Sequence, residues 1–252
     1  MPERFEFTGS GGDALAARID QPAGEPRAFA LFAHCFTCGK DLGAANAITR
    51  ALNGAGLAVL RFDFTGLGSS EGEFANTNFS SNVEDLVAAA DNLRERFEAP
   101  RLLIGHSPGG AAALAAAGEI GELKAVATIA APFDPGHVEH LMEGSVAEIE
   151  REGQADVSLA GRRFRVRRSF LEDIRSQELL PRIARLGRAL LVLHGPHDEL
   201  VPIENTHRIF DAAKHSKSFV SLDDADHLLT SRPDATYAGR VLGAWAARYV
   251  GG

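Results

Sequence analysis

The sequence predicts an α/β fold, a mostly parallel central sheet flanked by helices with a small cap inserted late in the chain, and three observations carry that prediction. Apolar runs of strand length recur at 28–33, 57–62, 102–104, 125–130 and 189–193 without polar alternation, the pattern of strands buried on both faces. Segments with helical spacing of apolar residues separate them, so strands and helices alternate as in βαβ units. Between 133 and 181 that alternation breaks and the chain turns charged, which marks an insertion within one domain spanning 1–252.

Residues 3–8 and 14–20 read as two opening strands joined through the turn-forming Gly9-Ser10-Gly11-Gly12-Asp13, an antiparallel edge. Leu42, Ala45, Ile48 and Leu52 line one helical face before Gly54 and Gly56 stop it. A capping box of Ser81 with Glu84 opens the next helix, whose apolar face holds Val83, Leu86, Val87, Ala90, Leu93 and Phe97. In the insertion, Val157 and Leu159 face Phe164 and Val166 across an Ala160-Gly161 turn. The exposed side of that hairpin carries Arg162, Arg163, Arg165, Arg167 and Arg168, a solvated face or, in the rival reading, a surface for an acidic substrate. A helix over 203–214, a strand over 218–222 and a closing helix with Ala238, Val241, Leu242, Trp245 and Tyr249 on one side complete the pattern.

Composition removes several functions. With 26 basic against 34 acidic residues and a net charge of -8, the chain is ill-suited to nucleic acid. The opening residues lack a basic then apolar leader, and no apolar run is long enough to span a bilayer, so a cytoplasmic protein without a membrane partner is expected. Only two cysteines are present, too few for a disulfide framework.

The chemistry centres on Leu102-Leu103-Ile104-Gly105-His106-Ser107-Pro108-Gly109-Gly110, a short strand that turns sharply into the alanine-rich helix over 111–117. A serine in a Gly-x-Ser-x-Gly turn between strand and helix is pushed out at the sheet end, with Gly105 and Gly109 allowing close approach. A hydroxyl needs a base to become a nucleophile, and the base needs an acid to hold its tautomer. In a parallel sheet those partners lie in loops after strands. Asp198 and His227 occupy two such loops, giving Ser107 as nucleophile, His227 as base and Asp198 as orienting carboxylate. Asp134 is the rival acid, whereas Asp223, Asp224 and Asp226 read as a solvated turn.

Over its whole length the chain resembles α/β-hydrolases, and more narrowly the hydrolase half of bacterial proteins that fuse such a domain to an OsmC-like peroxide-reductase domain. The residues that carry this are His34-Cys35-Phe36-Thr37-Cys38-Gly39-Lys40, Arg61-Phe62-Asp63-Phe64-Thr65-Gly66-Leu67-Gly68, the elbow, Ala131-Pro132-Phe133-Asp134-Pro135 and Asp226-His227-Leu228-Leu229. The resemblance implies hydrolysis of small esters, short-acyl by cap length, through an acyl-enzyme on Ser107, with no metal or cofactor. Acyl transfer, perhydrolysis, or a weakly active binding partner of a peroxide-reductase protein are the alternatives, and assembly as a homo-oligomer is left open.

It also implies an oxyanion hole from the N–H of Phe36 and of position 108, where this chain has a proline with no N–H to give. Either proline simply suits the first helical turn and another donor serves, or turnover is weakened. Cys35 and Cys38 line the pocket in one reading and form a redox pair in another, and His106 is a further pocket candidate, with a structural role the stronger reading for it.

Overall fold

The computed structural model describes residues 2–35, 39–159 and 161–251. Strands β1 (Glu3–Thr8), β2 (Ala14–Asp20), β3 (Ala28–Ala33), β4 (Leu57–Phe62), β5 (Pro100–His106) and β6 (Ala125–Ile129) are followed after the insertion by β9 (Ala189–His194) and β10 (Lys217–Ser221). They form one eight-stranded sheet in the order β1-β2-β4-β3-β5-β6-β9-β10. β1 and β2 pair antiparallel at one edge, β2 meets β4 antiparallel, and every later pairing is parallel.

The unbroken apolar runs have a direct cause. In β3, Phe29, Leu31 and Ala33 enter the core on one face of the sheet, while Ala28, Ala30 and Phe32 enter the core on the other. The second face is covered by α1 (Gly43–Gly54) and α8 (Arg232–Val250), and the first by α2 (Phe79–Arg96), α3 (Pro108–Ala116) and α7 (Glu204–Ala212).

One helix expectation needs correction. The box that opens α2 is Asn78 with Ser81, not Ser81 with Glu84: Asn78 Oδ1 accepts from Ser81 N at 2.8 Å, and Ser81 Oγ accepts from Asn78 N at 2.9 Å. The Asn78 pairing starts the helix three residues earlier and buries Phe79. In α8 the expected face does pack on the core, with Ala238 and Leu242 buried and Val241, Trp245 and Tyr249 half-buried against it, and the buried stripe also takes in Ala235, Gly239, Gly243 and Ala246. Small residues take the centre because α8 lies close on α1: a Cβ on Gly239 would stand 2.8 Å from Ala51 Cβ.

The segment between β6 and β9 is more regular than its charge suggests. A 3-10 stretch (Pro135–Met142) leads into α4 (Glu143–Glu152), the hairpin β7 (Gln154–Leu159) and β8 (Arg162–Arg167), α5 (Arg168–Ser176) and α6 (Leu179–Ala184). Val157 pairs with Phe164 and Ala155 with Val166, and alternation turns these side chains into the core while Arg162, Arg163, Arg165 and Arg167 stay exposed. Of the expected turn, Ala160 lies outside the described residues, and Gly161 takes φ 77°, a left-handed conformation. The insertion is fastened to the sheet layer through α5: Asp173 accepts from Ser80 N at 2.9 Å and from Ser80 Oγ at 2.6 Å, at the first turn of α2.

Candidate active site

Ser107 stands between β5 and α3 with φ 57° and ψ −131°, a conformation that costs a non-glycine residue roughly 1–3 kcal/mol and persists only where its surroundings enforce it. The enforcement is steric. A Cβ on Gly105 would fall 2.2 Å from the Gly109 carbonyl oxygen, and one on Gly109 would fall 2.4 Å from the His34 carbonyl oxygen. Strand and helix therefore meet at backbone distance, and the turn between them has no slack.

The structure brings Ser107, His227 and Asp198 together from three separate loops. Ser107 Oγ lies 2.7 Å from His227 Nε2, and His227 Nδ1 lies 2.7 Å from Asp198 Oδ2. All three side chains are buried. A carboxylate only accepts, so Nδ1 carries the imidazole proton and the Nε2 lone pair faces the serine O–H. Asp198 Oδ1 in turn accepts from Leu200 N at 3.0 Å and Val201 N at 2.9 Å. Burial opposes ionisation of Asp198, but the His194 and His227 imidazoles and the Val201 N–H outweigh it and hold the carboxyl well below the usual carboxylate range.

His194, at the end of β9, is a residue that sequence reasoning missed. Its Nε2 donates to the Val201 carbonyl at 2.7 Å and lies 3.4 Å from Asp198 Oδ2, while its Nδ1 accepts from Thr206 Oγ1 at 2.7 Å. A His-Gly-x-His-Asp stretch after a strand offers two histidines, and only burial distinguishes them: His194 is buried and His197 is exposed.

The other candidates fall out as follows. Asp134 caps the 3-10 stretch through Gly136 N at 2.9 Å and does not join the cluster. Asp223, Asp224 and Asp226 are exposed. His106 is not a pocket residue: its Nε2 donates 2.7 Å to the His227 carbonyl, which turns its ring toward the loop carrying the imidazole. Phe36 and Cys38 lie outside the described residues. Cys35 is buried beyond the end of β3 and is not among the cavity-lining residues, a position that His34 takes instead. Pro108 is the first residue of α3, so its missing N–H interrupts no helical bond.

The loop after β3 is clamped where it re-enters the described chain. Asp63 accepts from Lys40 N at 2.7 Å and Lys40 Nζ at 2.5 Å, and Arg61 donates to the Lys40 carbonyl at 2.6 Å. Beside the elbow, a cavity of about 30 Å³ is walled by Phe64, Leu67, Phe79, Pro108, Val138, Phe170 and Ile174 with few polar groups. Its walls come from the loop after β4, from α2 and α3, and from the insertion. Among the described residues, no group of three or more His, Cys, Asp or Glu side chains is placed to hold a metal ion, and no helix is long and apolar enough to cross a membrane.

Known proteins share this architecture. A family model described as serine aminopeptidase, S33, matches residues 24–155. A solved esterase domain from Rhodothermus marinus is 51% identical, with 100% of each chain covered and a TM-score of 0.82. A mouse protein named palmitoyl-protein thioesterase ABHD10, mitochondrial, is 27% identical over 187 residues, 71% of this chain and 62% of its own length. Human monoglyceride lipase is 34% identical over 110 residues, 43% of this chain and 36% of its own. The chain thus spans less than two thirds of those curated relatives.

Proposed function

The chain belongs to the serine aminopeptidase S33 family and has the α/β-hydrolase fold, and from that premise we propose that it is a serine hydrolase of small carboxylic esters with short acyl groups. The observation that carries this is the unbroken chain of two 2.7 Å contacts from Ser107 Oγ through His227 to Asp198. It supplies a nucleophile, a base in the correct tautomer and a carboxylate that stabilises the imidazolium.

In the proposed reaction Ser107 Oγ attacks the ester carbonyl as its proton passes to His227 Nε2. His227 then gives that proton to the departing alcohol oxygen, leaving the acyl group on Ser107. Water attacks the acyl-enzyme, losing a proton to His227, which returns it to Ser107 Oγ as the acyl–oxygen bond breaks and the carboxylic acid departs. The start of α3 points its helix dipole at this centre, where negative charge develops on the carbonyl oxygen.

Two features support short acyl esters over peptides. The cavity of about 30 Å³ is small and mostly apolar, which suits a short alkyl or hydroxyalkyl group. Its described lining contains no carboxylate, so it offers no charge to balance a free ammonium group. Initial rates on p-nitrophenyl esters from acetate to decanoate test the proposal: activity should peak at acetate to butanoate and vanish in Ser107→Ala. A maximum at octanoate or longer overturns the chain-length assignment, and full activity in Ser107→Ala overturns the mechanism.

A further inference from the structure

At the start of α2 the side chains of Asn78, Ser80, Ser81, Asn82 and Asp85 differ in their partners. Asn78 and Ser81 cap each other's backbone, and Ser80 binds Asp173. Asp85, fully buried, accepts from Ser10 N and Oγ and from Thr65 N and Oγ1. The Asn82 side-chain amide has no hydrogen bond among the described residues, yet the residue is half-buried and lines the cavity beside the nucleophile. Its direction is set by helical spacing, because Phe79 three residues before it and Leu86 four residues after it are both buried, and Phe79 shares the same cavity wall.

An amide beside aromatic and aliphatic walls gains from a polar partner, and the Asn82 side chain has none among the described residues. Asn82 is held firmly in place, since Ser80 in the same turn is tied by Asp173 to α5, which contributes Phe170 and Ile174 to the opposite wall. The second polar residue in the wall is His34. Its Nδ1 donates to the Cys35 carbonyl at 2.7 Å, so its buried Nε2, 3.8 Å from Asp63 Oδ1 and without a hydrogen-bond partner among the described residues, can only accept. Among the described residues the walls hold no cation to balance a carboxylate. A hydroxyl is the smallest neutral group that both donates and accepts, and it fits a cavity of this size.

We infer that Asn82 is a specificity-determining residue and that the ester substrates carry a hydroxyl on a short acyl chain. This rests on the ester-hydrolase proposal above. A site built around an amide discriminates against an isostere lacking the hydroxyl more strongly than an apolar slot discriminates by size.

The test compares kcat/KM within isosteric ester pairs, p-nitrophenyl hydroxyacetate against propanoate and 3-hydroxypropanoate against butanoate, in the wild type and in Asn82→Leu. The difference in intrinsic reactivity within a pair cancels between the two proteins. The hydroxyacyl-to-alkyl ratio should fall by about tenfold or more in Asn82→Leu for at least one pair, and Asn82→Ala reads the same ratio if the leucine variant does not fold. Hydrolysis of butanoate that depends on Ser107, with a ratio indifferent to position 82, overturns this inference and leaves the hydrolase proposal standing. Absence of hydrolysis of all four esters, with no labelling of Ser107 by a fluorophosphonate, overturns both.

Discussion

His106 Nε2 stands 2.7 Å from the backbone carbonyl of His227, with the two imidazole rings 5.5 Å apart. The residue before the nucleophile thereby holds the loop of the proposed base, and it links β5 to the loop after β10 across the sheet end. A carbonyl only accepts, so His106 carries a proton on Nε2, and burial keeps the ring neutral by disfavouring a second proton on Nδ1.

That neutrality predicts an acid-sensitive fold. Burial and the neighbouring His227 push His106 down to about 4 from the ordinary 6.5. Because the folded value lies below the unfolded one, the contribution is complete above pH 6.5 and is lost as pH falls from 6.5 toward 4, about 3 kcal/mol over the window. The Tm of the wild type should decline on acidification through this range. His106→Gln, which keeps a donor and removes the titration, should show a shallower decline, and identical slopes would contradict the assignment.

Pro108 predicts an unusual gain of function. Its position is where related folds offer an oxyanion N–H, and one such donor is worth roughly 10²–10³ in turnover. Pro108→Ala restores the N–H without adding bulk to the cavity wall, so kcat on a short ester should rise about tenfold or more. An unchanged or lower kcat shows that the missing N–H is not what limits the reaction.

Thr206 acts on the site only through His194. Removing its hydroxyl leaves the buried His194 Nδ1 without its donor, at a cost of about 1–3 kcal/mol. Thr206→Val should lower the urea midpoint and, because His194 bears on both Val201 and Asp198, lower kcat more than it changes KM. Unaltered stability together with unaltered kcat counts against this support.

Gly105 has no room for a side chain, since an added Cβ would meet the Gly109 carbonyl oxygen at 2.2 Å. Gly105→Ala should destabilise the protein by about 3 kcal/mol or more, read as a loss of soluble folded protein or a large fall in Tm. Wild-type stability in that variant would show that the elbow is looser than described.

The sheet was legible because continuous apolar runs and helical spacing are caused directly by two-sided burial and by one buried helix stripe, as in β3 and α1. The elbow and its two partner loops were legible because a serine nucleophile needs a base and an acid at strand ends. Helix starts were less so: Asn78 outcompeted Ser81 as a cap because its carbonyl oxygen reaches Ser81 N, a matter of geometry that composition does not encode. In α8 hydrophobicity marked the packed face but not its glycines, which close contact with α1 selects. His194 and Asn82 were invisible because a histidine or an asparagine takes its role from what it touches, and in the one case three partners, in the other none, decide it.

The central proposal is that Ser107 is a nucleophile activated by His227, and stoichiometric labelling with a fluorophosphonate tests it most directly. Intact-mass and peptide mapping should find one phosphonyl adduct per chain, on Ser107, with none on Ser107→Ala and much slower labelling of His227→Ala. An adduct on another residue, or equal labelling of Ser107→Ala, would contradict it.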